Sequence, residues 1–511
     1  MVASARRGLS RRDFLKIASI LPASLAGCGL RAAPTHVGAR SNPGQPNFLI
    51  IVFDAMSAND LSVYGFHRKT TPNLERFAER AIQYHAHIAA GNYTTPGTAS
   101  LLSGLYPWTH RAINLSGEIA GGLEKRSLFA EMGAEWTRYG YSQNAWAGLL
   151  LNQFAADIDV RVPILSFGAI SPWLIADGLP DSTLAYRALD TFLLSKSEPA
   201  GSLLLGLADR MLGHRRSQRL ESPDYPRGLP EAVTLPFYYE METLFDGIID
   251  FTAGLEPPFL AYLHLMPPHE PYRPARAYAR HFDDEWRAPG KPAHRLVASP
   301  DTDERLNAGR QNYDRFIANL DAEFGRLMEA MEGAGLLDTT YVILTSDHGE
   351  MFERGERGHG TVLLYQPVIK IPLLIRPPGG VDPQHIHEPS GAVDVLPTVL
   401  SLAGRPVPAW CEGRVLPGLD RPAGQPKPVF SVEAKDNRAF ERIRRGTVAM
   451  RKNGMKMIYY TGYERDDAFE LYDVDEDPEE LRDVYDPRSS SAAALADELL
   501  TTLRERDLPA A

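Results

Sequence analysis

The run Asn47-Phe48-Leu49-Ile50-Ile51-Val52-Phe53, closed by Asp54, constrains the fold more than any other stretch of this chain. Six successive apolar residues leave no polar face, so the strand must be covered on both sides, as in a mainly parallel sheet. Similar runs recur at Phe259–Leu265, Tyr341–Thr345 and Pro372–Ile375. Helical spacing lies between them, most clearly in Phe316, Ile317, Leu320, Phe324, Leu327, Met328 and Met331, stopped by Gly333-Ala334-Gly335. Strands alternating with helices predict an α/β fold, a central mainly parallel sheet sandwiched by helices, over residues 46–420. Beyond that the runs Val448–Arg451, Met455–Tyr460 and Glu470–Asp473, followed by a helix Ala492–Arg506, predict a small antiparallel-sheet and helix subdomain over 421–511. Residues 200–245, with Arg210, His214, Arg215, Arg216, Arg219 and several prolines, break the pattern and read as an insertion, either a lid or a solvated loop.

The N-terminus reads as an address. Ser10-Arg11-Arg12-Asp13-Phe14-Leu15-Lys16 is a twin-arginine pattern, and Ile17–Ala26 is an apolar stretch too short to span a bilayer. It ends in Leu25-Ala26-Gly27-Cys28, a lipobox-like sequence, so residues 1–27 are expected to be a signal peptide and Cys28 an acylated anchor to the membrane. Residues 28–45 are then a flexible tether, and the expected location is bacterial and extracytoplasmic, in the periplasm or at the envelope surface. With 54 Lys+Arg against 65 Asp+Glu the net charge is −11, which excludes nucleic acid as a nonspecific partner. The two cysteines, Cys28 and Cys411, allow at most one disulfide.

In parallel sheets, ligands bind beyond the carboxyl ends of the strands, and acidic and histidine residues collect there. Asp54 follows the first run directly, Asp347-His348-Gly349 follows Tyr341–Thr345, and His269 follows Phe259–Leu265 through Pro267-Pro268. Each alone is equally well a helix cap. Together, two aspartates and a histidine on one sheet edge make a mixed oxygen–nitrogen site for a divalent ion. Asn92-Tyr93-Thr94-Thr95-Pro96-Gly97-Thr98-Ala99-Ser100-Leu101-Leu102 reads as a helix start with proline in its first turn. Thr94 is either an ordinary cap or a hydroxyl held at a positive helix end, where a neighbouring metal would lower its pKa.

These stretches resemble the sulfatase branch of the alkaline phosphatase superfamily. So do Thr70-Thr71-Pro72-Asn73-Leu74, Pro268-His269-Glu270-Pro271-Tyr272, Gly358-His359-Gly360 with Tyr365, Lys370-Ile371-Pro372-Leu373, Asp394-Val395-Leu396-Pro397-Thr398 and Glu470-Leu471-Tyr472-Asp473. The resemblance spans about residues 46–485. It implies Asp54, Thr94, Asp347 and His348 as metal ligands, with Thr94 also the nucleophile. It also implies His269 and His359 as catalytic groups near the ester, and His264 and Lys370 as substrate contacts.

The departures from that family bear on the chemistry. Sulfatases carry Cys or Ser at the Thr94 position, in a Cys-x-Pro-x-Arg frame oxidised to formylglycine. Here the frame is Thr94-Thr95-Pro96-Gly97-Thr98, so no formylglycine is expected. Ala55 stands where a second aspartate is common. A threonine nucleophile resembles the phosphodiesterase, phosphatase and phosphotransferase branches. Those hold two metals with an Asp-x-x-x-His pair, and the residue four before His269 is Leu265. The expectation is therefore one divalent ion (Ca, Mn, Zn or Mg) and a hydrolase of phosphoric or sulfuric esters. The substrate would be an anionic small molecule, glycan or lipid. Alternatives are an envelope transferase moving a phospho-substituent and a non-catalytic binding protein of the same fold.

Overall fold

The computed structural model describes residues 44–169, 223–231, 237–419 and 427–507. The expected signal peptide, Cys28 and most of the tether lie outside these residues. So does most of 200–245, although its end is ordinary core: Phe237, Tyr239, Met241, Leu244 and Phe245 are buried, and Met241 opens the helix Met241–Ala253. No helix among the described residues is long and apolar enough to cross a membrane.

Eight strands form the main sheet, in the order Gln384–Ile386, Ile82–Tyr84, Leu373–Arg376, Thr340–Thr345, Asn47–Phe53, Phe259–Leu265, Thr137–Ser142 and Val160–Arg161. The central strand Asn47–Phe53 is buried throughout and pairs in parallel with Phe259–Leu265 on one side and Thr340–Thr345 on the other. Its side chains alternate between two cores. Leu49, Ile51 and Phe53 pack with the helices Met241–Ala253 and Asp303–Gly333. Phe48, Ile50 and Val52 pack with Thr94–Ser103, Ala145–Gln153 and Val395–Leu402 on the opposite face. Helices thus cover both faces, the arrangement a two-sided apolar strand requires.

One strand departs from the parallel expectation. Leu373–Arg376 is antiparallel to both of its neighbours, Thr340–Thr345 and Ile82–Tyr84. After Thr345 the chain forms a small hairpin, Met351–Glu353 with Glu356–Gly358, and the short helix Gln366–Ile369, with no long helix to carry it across the sheet. It therefore returns reversed; an apolar run reports burial, not direction. At the C-terminus, Val429–Glu433, Gly446–Lys452, Met455–Thr461 and Ala468–Asp473 form a separate antiparallel sheet. The helix Ser490–Arg506 packs on it through Ala492, Ala496 and Leu499.

Candidate active site

Four parallel strands deliver the site at their carboxyl ends. Asp54 leaves the central strand, with its N–H on the Leu265 carbonyl at 3.0 Å. Asp347 and His348 follow Thr340–Thr345, and the Asp347 Oδ1 accepts from the Ala55 and His348 amides at 3.3 and 3.0 Å. Ser346 ties the two loops, donating to the Phe53 carbonyl at 2.6 Å and accepting from the Met56 amide at 2.9 Å. Asp54, His264, Asp347 and His348 are each fully buried.

The donor set fits a cation. Asp54 Oδ1 and Asp347 Oδ2 are buried without a hydrogen-bond donor, a costly arrangement for two carboxylates unless positive charge lies between them. His348 Nε2 is 3.4 Å from Asp54 Oδ1 and 3.5 Å from Asp347 Oδ2. Its Nδ1 faces the Gly349 carbonyl at 2.9 Å, and since a carbonyl only accepts, the Nδ1 carries the hydrogen and Nε2 is left to bind a cation. Burial alone would lower His348, but the Asp347 charge and then the Asp54 carboxylate outweigh it and push the imidazole up to about 9. Burial likewise opposes ionisation of Asp54, yet the histidines around it, His269 first, hold it well below the usual range. The cluster demands positive charge whichever group supplies it.

His264 belongs to this cluster rather than to an open substrate surface. It lies on the strand Phe259–Leu265 with the parity of Leu260 and Tyr262, whose side chains face the same core as the helix Thr94–Ser103. Its Nε2 is 3.2 Å from Asp54 Oδ2 and 3.6 Å from Asp347 Oδ2, and its Nδ1 is 3.0 Å from the Tyr262 hydroxyl. Ligand atoms of Asp54, His264 and Asp347 lie within 4.8 Å of one another, a grouping that could hold an ion. The second aspartate missing at Ala55 thus has a neighbour of suitable chemistry on the adjacent strand.

Thr94 is the first residue of its helix, not the cap: Tyr93 occupies the cap position and makes no side-chain capping bond. The Thr94 hydroxyl accepts from Asn144 Nδ2 at 3.1 Å and lies 3.4 Å from His348 Nε2. The same Asn144 Nδ2 donates to Asp54 Oδ2 at 2.5 Å, and its Oδ1 caps the helix Ala145–Gln153 by accepting from the Trp146 amide at 2.8 Å. Sequence reasoning missed Asn144. It follows the strand Thr137–Ser142, whose Thr-Arg-Tyr-Gly-Tyr-Ser sequence has no apolar run to mark it.

His269 and His359 meet at the site with their Nε2 atoms 3.2 Å apart. The His269 Nδ1 donates to the Glu270 carbonyl at 2.8 Å, and the His359 Nδ1 faces the Glu350 carboxylate at 3.1 Å. Each ring is therefore tethered behind, and a single hydrogen between the two Nε2 atoms completes the pair. Burial, then the charges of His348 and His269, hold His359 well below its usual pKa. Burial raises Glu350 to about 8 despite the opposing His269 charge. Glu350 was also missed, although it closes the Asp347-His348-Gly349-Glu350 stretch. The groups that act on Lys370 are Arg451 and Glu479: burial and Arg451 push its ammonium down to about 8, while Glu479 opposes them. Lys435 reaches the site's rim, donating to the Gly360 carbonyl next to His359.

Comparison with known proteins agrees with this geometry. The sulfatase family model matches residues 46–168 and 184–405, and the model for the C-terminal region of N-sulphoglucosamine sulphohydrolase matches residues 355–507. Steryl-sulfatase of Rattus norvegicus is 27% identical over 444 residues, covering 75% of this chain and 70% of its own. Choline-sulfatase of Rhizobium meliloti (strain 1021) is 22% identical over 472 residues, covering 86% and 82%. The fold of the phosphonate monoester hydrolase of Agrobacterium radiobacter superposes with a TM-score of 0.64 at 20% identity, covering 91% of this chain and 96% of that one. With more than half of its length matched by the family model, and with a strand-end acidic cluster facing a helix N-terminus, this chain belongs to the sulfatase family of ester hydrolases.

Proposed function

We propose that this protein hydrolyses anionic esters of phosphoric or sulfuric type, with the unmodified Thr94 hydroxyl as nucleophile. The observation that carries the reading is the position of that hydroxyl: at a helix N-terminus, held by Asn144 and facing the Asp54–Asp347–His348 cluster. Asp54, Asp347 and His348, with His264 as an additional donor, are the residues that would hold a divalent ion. When bound, such an ion offsets the charge of the ester and lowers the pKa of an adjacent hydroxyl.

Thr94 Oγ, having released its proton to solvent, attacks the central atom, and the leaving alcohol takes a proton from the Nε2 edge of the His269–His359 pair. Threonine differs from formylglycine in having no second hydroxyl, so its ester cannot collapse by elimination. Water must attack the central atom, releasing the sulfate, phosphate or substituted phosphorus anion and restoring the Thr94 hydroxyl. That step is readier at phosphorus than at sulfur, which favours phosphoric or phosphonic esters, the latter being the class named for the Agrobacterium enzyme. The test is a panel of aryl sulfate, phosphate monoester, phosphate diester and phosphonate on metal-reloaded protein, followed by acid quench. A phospho- or sulfo-adduct on Thr94 supports the reading; full turnover by Thr94→Ala overturns it.

The reading extends to location. Residues 1–27 act as a twin-arginine export signal and the acylated Cys28 anchors the enzyme outside the cytoplasm. Mass spectrometry of the mature N-terminus tests this, with an unmodified terminus away from Cys28 as the contrary result.

A further inference from the structure

Three histidines gather at the edge of the main sheet among the described residues, outside the catalytic cluster. His385 lies on the edge strand Gln384–Ile386, and His387 follows one residue past its end. Residues two apart on a strand share a face, so both imidazoles stand on one side of the sheet. The neighbouring strand Ile82–Tyr84 runs parallel, with Ile386 beside Tyr84, which sets His85 beside His387 at the next step. The His85 amide continues the ladder to the Ile386 carbonyl at 2.8 Å. His85 Nε2 and His385 Nδ1 are 2.9 Å apart, and the His85 and His387 rings stack with centroids at 4.5 Å and planes within 8°. His85 is half-buried against Tyr64, whereas His385 and His387 are exposed, so the group has a fixed base and an open mouth.

We propose that His85, His385 and His387 form a second metal site, for a late first-row divalent ion such as copper, nickel or zinc. His-x-His on a strand with a third histidine beside it is a donor set of three neutral nitrogens, which suits these ions and not calcium or magnesium. Two imidazole nitrogens bound at about 2.0–2.1 Å and about 90° to each other are ~2.9 Å apart, while a tetrahedral pair is ~3.4 Å apart. The observed 2.9 Å between His85 and His385 is a hydrogen-bond separation that equals the spacing of two adjacent nitrogens around square-planar or octahedral Cu²⁺ or Ni²⁺. One of those two nitrogens carries the hydrogen of their contact. Moving it to the other nitrogen of the same ring frees both lone pairs with no net loss of a proton, and a turn of the exposed His385 ring aims them at one ion. His387 joins as the third donor by rotating its exposed side chain.

Lys370 lies close enough to His85 to oppose a bound cation. Two strand spacings, roughly 10 Å along the sheet, separate Ile82–Tyr84, which His85 follows, from Thr340–Thr345, which leads to Asp347, so the variant below removes only the two histidines of the outermost strand.

The test uses the full chain without an affinity tag, its acidic site first saturated with Mg²⁺ or Ca²⁺, titrated with Cu²⁺ alone. Wild type is expected to bind one equivalent whose electron paramagnetic resonance shows coupling to two or three nitrogens. His385→Ala/His387→Ala should weaken that equivalent by roughly 10²-fold or more, since even outer-shell partners of a metal matter on that scale. Melting temperature and ester hydrolysis measured without copper should be unchanged. No nitrogen-coupled equivalent in wild type, or equal binding by the double variant, overturns the assignment.

Discussion

The side-chain amide of Asn144 bridges Thr94 Oγ1 and Asp54 Oδ2, at 3.1 and 2.5 Å. One planar group thereby fixes the distance between the nucleophile candidate and a buried carboxylate, and it does so from a helix cap. Removing it should cost orientation more than stability. Asn144→Ala is expected to lower kcat by about 10–10²-fold, the scale of misplacing a reacting group, while losing about 1 kcal/mol for the cap. Asn144→Ser restores the cap without the reach, so its melting temperature should recover and its kcat should not. Recovery of both would reduce Asn144 to a cap.

His264 offers a clean choice between metal and substrate. A buried imidazole between two carboxylates has no free path to a substrate, so His264→Ala should act on the ion. Metal affinity is expected to fall by at least ~10–100-fold, with activity rescued by excess metal. A raised KM at saturating metal, with unchanged metal affinity, would return His264 to the substrate-contact role.

Asp54, Asp347 and His348 were legible as a group because apolar runs mark buried strands, and the carboxyl ends of such strands share one edge. Asn144 was not legible: its strand is two tyrosines among polar residues near the sheet edge, and an asparagine before a helix reads as a cap, which it also is. The reversal of Leu373–Arg376 was hidden for the same reason that its existence was plain, since apolar composition carries no direction. Strand parity could have placed His264 on the nucleophile's side, because Leu260 and Tyr262 already face that core. Val429–Glu433, the first strand of the C-terminal sheet, went unread because it is too short and mixed to stand out before pairing.

The contact between His269 and His359 predicts a dependence on the leaving group. A poor leaving group needs a proton in the transition state, typically worth ~10²–10⁴-fold, while nitrophenolate leaves without one. His269→Ala should therefore impair alkyl esters far more than nitrophenyl esters. Glu350→Gln should show the same selectivity in weaker form, since Glu350 holds His359 from behind. If the three act as one unit, the double variant should be little worse than His269→Ala alone. Equal losses on both ester types would assign the pair to binding.

Gly97 sits in the first turn after Thr94, and a Cβ there would lie 2.2 Å from the Asp347 carbonyl oxygen. The nucleophile helix and the metal-ligand loop approach each other backbone to backbone at this point. Gly97→Ala should force them apart, at a cost of about 1–3 kcal/mol for overpacking. Activity should fall further than stability, because the displaced groups are Thr94 and Asp347. Gly97→Ala with normal kcat would show that this close approach is dispensable.

Asp321, on the helix Asp303–Gly333, predicts a pH effect remote from the site. Its carboxylate accepts from the Asn73 and Leu74 amides at 2.8 and 2.9 Å and from Asn73 Nδ2 at 2.8 Å, holding the first turn of the helix Pro72–Ala78. Burial pushes the carboxyl up to about 6 despite these bonds. An unfolded aspartate titrates near ~3.9, so between about pH 4 and pH 6 the folded chain keeps a proton that the unfolded chain has released. The stabilisation is thus complete below about pH 4 and is lost as the pH rises through about 6, on the order of 2–3 kcal/mol in all. Asp321→Asn cannot titrate, and it replaces an acceptor with a donor facing Asn73, so it should be less stable throughout. Its deficit relative to wild type should be largest near pH 4 and should narrow by pH 7. Melting temperatures of the two proteins across that range read this out directly, and a deficit that stays constant would mean that Asp321 is ionised in the folded protein at pH 4.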